Sequence, residues 1–184
     1  MSDSHNIIIS VSSDIGFSLA KKWLKSGKSV TGTYRTKSSL CDELENMGAN
    51  LLHCDLEDKS SIINAISSIN NLDSWETLTL AAGHQEPVGN FLDCDFKNWN
   101  QSIMVNFTSQ LNILHGLMSN KSKKRSSVLF FAGGGTNNAT IAYSAYTVSK
   151  IALIKMVELL DAEILDTNFS ILGPGWVKTK IHEP

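Results

Sequence analysis

The chain has 184 residues, of which 42% are hydrophobic and 18% charged, and its formal net charge is −2. A chain of this length usually folds as one domain with a sizeable core. The near-neutral charge does not suggest electrostatic binding to nucleic acid, and no segment approaches the ~20 apolar residues of a membrane span. We therefore expect residues 1–184 to form a single cytoplasmic domain with no nucleic-acid or membrane partner.

The three cysteines and five histidines show none of the spacings typical of metal sites. Cys41, Cys54 and Cys94 are scattered along the chain, which is typical of reduced thiols rather than of a disulfide framework. No metal site is expected.

In chain order, short strand-like runs alternate with longer helical stretches. Strands are predicted over Ile7–Ile9, Lys28–Tyr34, Ala49–Cys54, Thr77–Ala82, Ser127–Ala132 and Phe169–Leu172. Helices are predicted over Ile15–Ser26, Lys37–Met47, Lys59–Ile69, Phe96–Met118 and Ala145–Leu165. This alternation predicts a doubly wound α/β fold, with a parallel sheet of six strands between two layers of helices. Ligands bind such sheets beyond the carboxyl ends of the strands, so the loops there are the candidate functional segments.

The first of these loops reads Ser10-Val-Ser-Ser-Asp-Ile-Gly16. A dinucleotide fold places the pyrophosphate here, at the start of a helix, and uses glycines to bring the backbone close. Only Gly16 stands at its expected place, because Ser10 and Asp14 occupy the positions of the other two glycines. Ser12 and Ser13 can donate hydroxyl hydrogen bonds to a phosphate, and Asp14 is predicted to cap the helix. An ordinary strand-to-helix turn is the alternative interpretation.

The second strand ends in Tyr34-Arg35. A cofactor with a free ribose 2′-hydroxyl usually meets an acidic residue at this point. Tyr34 takes that place, and the guanidinium of Arg35 suits a 2′-phosphate. This favours NADP(H) over NAD(H), although Arg35 can also be read as an ordinary surface residue.

The strongest pattern is Tyr146-Thr-Val-Ser-Lys150 within the last predicted helix. A spacing of four places the phenol and the ammonium on one face of the helix. A nearby cation favours the phenolate, so Lys150 is expected to lower the pKa of Tyr146 into a range useful for acid–base chemistry.

With these motifs in place, the chain resembles the short-chain dehydrogenase/reductase family from Ile7 to Thr179. The resemblance implies hydride transfer between nicotinamide and a carbonyl or hydroxyl substrate, with Tyr146 as acid/base, Lys150 as its helper and Asn106 completing a proton relay. It also implies that Asp55 contacts the adenine and that Thr179 holds the carboxamide. The implied cofactor-binding residues are Ser10, Ser12, Ser13, Ile15, Gly16, Arg35, Asp55, Leu56, Ala82, Gly83, Tyr146, Lys150, Pro174, Gly175, Val177 and Thr179.

Two departures from the family pattern stand out. Gly133 occupies the position of the family's catalytic serine, with Thr136, Ser144 or backbone N–H groups as candidate substitutes. Losing such a donor costs roughly 10²–10³-fold in rate. The sequence also ends at Pro184, where the family continues into a substrate lid and a seventh, edge strand.

The leading hypothesis is an NADP(H)-dependent oxidoreductase, with NAD(H) as the second cofactor, acting on a small-molecule substrate. The alternative is a catalytically impaired protein that binds dinucleotide or a partner. The resemblance further implies a homodimer or homotetramer.

Overall fold

The computed structural model describes residues 5–135 and 137–175, which contain one six-stranded parallel sheet. Its strands are β1 (His5–Ile9), β2 (Ser29–Tyr34), β3 (Asn50–His53), β4 (Trp75–Leu80), β5 (Ser127–Phe131) and β6 (Asn168–Leu172). The helices are α1 (Asp14–Lys25), α2 (Ser39–Asn46), α3 (Lys59–Asn70), α4 (Phe96–Ile103), α5 (Ser109–Leu117) and α6 (Ser144–Glu163). The predicted fold class is confirmed, and the strand and helix ends differ from the predicted ones by a few residues.

The strand order is β3-β2-β1-β4-β5-β6. The direction of chain progression therefore reverses between β1 and β4, which places the ligand-binding crevice of such a sheet above these two strands. In the described part of the chain β6 forms one edge, and its Leu172 side chain is 52% exposed.

Apolar side chains from β1 enter both faces of the sheet, because alternate residues of a strand point in opposite directions. Ile7 and Ile9 belong to a large cluster with residues of α3, α5 and α6, whereas Ile8 packs with residues of α1 and α2. Burial on both faces explains why these strands are almost continuously hydrophobic. None of the helices within residues 5–135 and 137–175 is long and apolar enough to cross a membrane.

The predicted continuous helix over 96–118 is wrong in one respect. A π-helical turn (Met104–Thr108) separates α4 from α5, and the Ser109 N–H bonds to the Met104 carbonyl, five residues back. Asn106 gives a reason for this: its side-chain Nδ2 donates to the Ser102 carbonyl, which an α-helical Asn106 N–H would otherwise occupy. Such turns occur frequently at functional sites.

The predicted cap of α1 is also corrected. Ser13, not Asp14, is the N-cap, since its backbone is extended and its Oγ accepts a hydrogen bond from the Gly16 N–H at 3.1 Å. Asp14 is instead the first helical residue, where its negative charge interacts favourably with the helix dipole.

Candidate active site

A cavity of about 1130 Å³ lies along the carboxyl edge of the sheet. Its walls come from every loop that the sequence identified as functional. Of the residues implied in cofactor binding, those that line it are Ser10, Ser12, Ser13, Ile15, Arg35, Asp55, Leu56, Ala82, Gly83, Tyr146, Lys150, Pro174 and Gly175. Val177 and Thr179 lie outside the described residues.

The first loop keeps its tight shape without the usual first glycine. Ser10 takes a left-handed conformation with φ of 66°, a region that glycine adopts at lower cost. Its amide N–H donates to Thr33 Oγ1 and its carbonyl accepts from Ser13 Oγ, and these bonds stabilise the turn. Because the Ser13 hydroxyl donates its proton to Ser10, it is already engaged and is a poorer phosphate donor than the sequence suggested.

Gly16 lies behind this loop rather than in the cavity wall. A Cβ at position 16 would lie 2.5 Å from the Ser10 carbonyl oxygen, closer than real contacts allow. The glycine therefore permits close packing of α1 against the first loop, which is an indirect contribution to any binding site there.

Arg35, which follows β2 and lines one end of the cavity, is already paired with a carboxylate. Its Nη1 lies 3.5 Å from Glu57 Oε1. Asp55 Oδ1 accepts from the Glu57 N–H, and the buried Leu56 follows Asp55 into the cavity wall. Glu57 was not predicted as a site residue, although its place directly after Asp55-Leu56 in a predicted functional loop was a usable signal.

Tyr146 and Lys150 come together in the cavity wall, one turn apart on α6. The Lys150 Nζ lies 5.7 Å from the centroid of the Tyr146 ring and donates to the Ala82 carbonyl at 3.3 Å. Lys150 is only 2% exposed, whereas Tyr146 is half-buried. The predicted pairing on one helix face is therefore present in the structure.

The pKa of the phenol departs from the sequence expectation. Burial raises the pKa of Tyr146, rather than lowering it, and burial also lowers the pKa of Lys150 to about 8. Both shifts follow from the cost of charge in a poorly solvated site. At neutral pH the phenol therefore keeps its proton and can donate it to an oxygen atom in the cavity.

Asn106 lies behind the cavity wall, where its side chain forms hydrogen bonds with the backbone of His84. It is fully buried, its Oδ1 accepts from the His84 N–H at 2.9 Å, and its Nδ2 donates to the His84 carbonyl at 2.6 Å. Asn106 thus holds the backbone of the loop after β4, and His84 itself lines the cavity.

Gln110 is also a fully buried amide and, unlike Asn106, was not predicted from the sequence. Its Nε2 donates to the carbonyls of Ala82, Val105 and Asn106 at 3.3, 3.1 and 3.1 Å. The Ala82 carbonyl is also the acceptor for Lys150, so Gln110 supports the strand end that holds the lysine. A polar residue on the buried side of a predicted helix was the available signal.

Gly133 is in direct contact with the tyrosine. A Cβ at position 133 would lie 2.5 Å from Tyr146 Cε1 and 2.6 Å from its hydroxyl oxygen. The aromatic ring therefore fills the space that a side chain at 133 would need. Of the candidate substitutes for a serine, Ser144 accepts a hydrogen bond from Trp99 Nε1 outside the cavity wall, and Thr136 lies outside the described residues.

Comparison with protein families supplies the identification. The family model described as short chain dehydrogenase matches residues 5–184. The chain belongs to the short-chain dehydrogenase/reductase family. An uncharacterised oxidoreductase of Schizosaccharomyces pombe is 29% identical over 121 residues, which cover 66% of this chain and 48% of that protein. The chain thus spans about half the length of this relative.

Solved structures of the family share the fold at low sequence identity. A short-chain dehydrogenase/reductase from Saccharomyces cerevisiae has a TM-score of 0.88 and 22% identity, covering 97% of this chain and 72% of its own. BdcA, crystallised in complex with NADPH, has a TM-score of 0.86 and 18% identity, with coverage of 97% and 72%. The doubly wound sheet described above is therefore the fold of this family.

Proposed function

We propose that the protein is an NADP(H)-dependent oxidoreductase that reduces the carbonyl group of a small molecule, with NAD(H) as its second cofactor. The observation that carries this is the pair of Tyr146 and Lys150 in one cavity at the carboxyl edge of the sheet. Membership of the family and the NADPH complex of BdcA support the choice of cofactor class.

The cavity suits a dinucleotide in both position and composition. It runs from Arg35 at one end, past the start of α1, to Tyr146 at the other. Gly134 lies in the cavity wall with nothing within 4 Å of the place of a Cβ, so a ligand can approach the backbone there. Asp14 lines the cavity at the start of α1, and its charge makes that end less favourable for a pyrophosphate.

A bound nicotinamide supplies the hydride for the reduction. Tyr146 is positioned to give its proton to the carbonyl oxygen of the substrate, because burial keeps the phenol protonated at neutral pH. Lys150 contributes a buried positive charge beside the ring, and the Ala82 carbonyl orients its ammonium. Asn106 keeps the His84 segment in place at the cavity wall.

The experiment is the Tyr146→Phe variant, assayed for NADPH oxidation over a panel of aldehydes and ketones. Turnover should fall by at least roughly 10²-fold, as expected for loss of a general acid, while the Kd for NADPH stays within about twofold. Tyr34→Phe is the matched control, because Tyr34 packs edge-on against His53 rather than lining the cavity. Undiminished turnover in Tyr146→Phe would rule out this role.

A second candidate function follows from the contact between Gly133 and Tyr146. With the ring filling that space, position 133 provides no side-chain donor for a substrate oxygen. We propose, as this second candidate, a dinucleotide-binding protein with impaired catalysis. Tight NADPH binding by the wild-type chain without turnover of any panel member would favour it over the first.

For the assembly we propose a homodimer or homotetramer formed through α4 and α6. Phe96 on α4 and Val148, Ile151 and Leu159 on α6 are large hydrophobic side chains with 46–54% of their surface exposed. The spacing of Val148, Ile151 and Leu159 places them on one face of α6, and an exposed apolar face of this kind is typical of a protein interface. Size-exclusion chromatography with light scattering should report a dimer or tetramer, and a Val148→Glu variant should shift it towards the monomer.

A further inference from the structure

The feature of interest is Glu57, an acidic side chain at the end of the cavity where Arg35 lies. Its Oε1 is 3.5 Å from Arg35 Nη1, and its Oε2 accepts a hydrogen bond from Gln101 Nε2 on α4. Its main-chain N–H is bound to Asp55 Oδ1. The carboxylate is therefore held in place on both oxygens, and about a quarter of the side chain (27%) remains accessible.

This arrangement changes the chemistry of the Arg35 subsite. A guanidinium alone attracts the dianionic 2′-phosphate of NADP(H). Here a fixed negative charge sits beside it, so a phosphate that contacts Arg35 is repelled by Glu57 or must displace it. A ribose 2′-hydroxyl is not repelled in this way and can donate a hydrogen bond to a carboxylate. In dinucleotide folds that carboxylate usually stands at the end of the second strand, and here Glu57 offers one from the loop after β3.

We propose that Glu57 is a specificity-determining residue for the dinucleotide: it weakens binding of the 2′-phosphate and supports binding of a free 2′-hydroxyl. Arg35 and Glu57 then act in opposite directions, and the Arg35–Glu57 pair gives a protein that accepts both cofactors. This inference rests on the proposed dinucleotide binding and adds a residue that controls its selectivity.

The test is calorimetric titration of the wild type and Glu57→Gln with NADPH and with NADH, in a low-salt buffer without substrate. Removing one charge within several ångströms of a phosphate should tighten NADPH binding by roughly tenfold. NADH binding should stay the same or weaken, so the ratio of the two Kd values shifts by about tenfold or more. Added salt should reduce this shift, because it screens exposed charges.

Glu45→Gln is the matched control. Glu45 also forms an ion pair with a cation, Lys37 at 2.8 Å, but it lies on α2 and does not line the cavity. Both Kd values should stay as in the wild type. Glu57→Ser serves as a second variant if Glu57→Gln unfolds, and thermal unfolding of each variant establishes that it is folded.

The outcomes separate this inference from the proposed function. If the wild type binds dinucleotide and neither Glu57 variant changes the ratio, the role of Glu57 is overturned while the proposed function stands. If no form of the chain binds NADPH or NADH, both are overturned. If only the Glu57 variants bind NADPH, the opposing effect of Glu57 is supported directly.

Discussion

Adding a single methyl group at Gly133 should disturb Tyr146, the proposed proton donor, more than the fold. In Gly133→Ala the new Cβ would lie 2.5–2.7 Å from the Cε1, Oη and Cζ atoms of Tyr146. Ordinary contacts between carbon atoms are about 3.5–4.0 Å, so the phenol must move by roughly 1 Å. A misplacement of that size can cost about 10²-fold in rate, whereas overpacking of this kind costs about 1–3 kcal/mol in stability.

Gly134→Ala provides the matched comparison, because a Cβ at position 134 meets nothing within 4 Å. The assays are turnover with NADPH, the Kd for NADPH, and urea unfolding of each variant. We expect Gly133→Ala to lose about 10²-fold in kcat and Gly134→Ala to lose little. Gly133→Ser carries the same β-carbon, so it should be impaired as well. If Gly133→Ser instead raised kcat, the steric argument would be refuted.

Two further predictions concern stability. Lys150→Met should raise the free energy of unfolding at pH 7 by up to about 3 kcal/mol, because burial lowers the pKa of Lys150 from 10.5 to about 8. Between pH 8 and 10.5 Lys150 is protonated in the unfolded wild type but not in the folded one, so the wild type gains stability as the pH rises. The difference in the free energy of unfolding between Lys150→Met and the wild type should therefore shrink. Urea unfolding at pH 7, 9 and 10.5 measures it, and a constant difference would contradict the argument. Ser13→Ala should lower the free energy of unfolding by about 1 kcal/mol, since it removes the cap on the Gly16 N–H, and Ser12→Ala should not in the same assay.

The sheet and the position of the cavity at its carboxyl edge could be predicted from the sequence, because the strands and helices depend on local patterns. The apolar run 128–131 predicted a strand and lies in β5, where Val128 and Phe130 are buried, and alternating strands and helices leave few topologies to choose from. The spacing of Tyr146 and Lys150 was equally informative, since a helix places such residues on one face. These features are set by neighbours in the chain.

Contacts between separate loops could not be predicted from local sequence patterns. The pairing of Arg35 with Glu57 and the packing of Tyr146 on Gly133 depend on where two separate loops lie in space. The pKa of Tyr146 was misjudged for the same reason: the sequence shows the nearby lysine, but the degree of burial follows from the whole cavity wall. Sequence periodicity does not show how strongly a particular side chain such as Tyr146 is desolvated.

The protonation states of the pair bear on the direction of the proposed reaction. In the proposed mechanism, alcohol oxidation would need a phenolate at Tyr146, which a higher pH would favour. Here burial raises the pKa of the phenol and lowers that of Lys150 to about 8. Lys150 therefore loses its proton first, and the phenolate would form only after its neighbouring cation has disappeared. Carbonyl reduction uses the neutral phenol instead, so we expect the site to favour reduction across the neutral range.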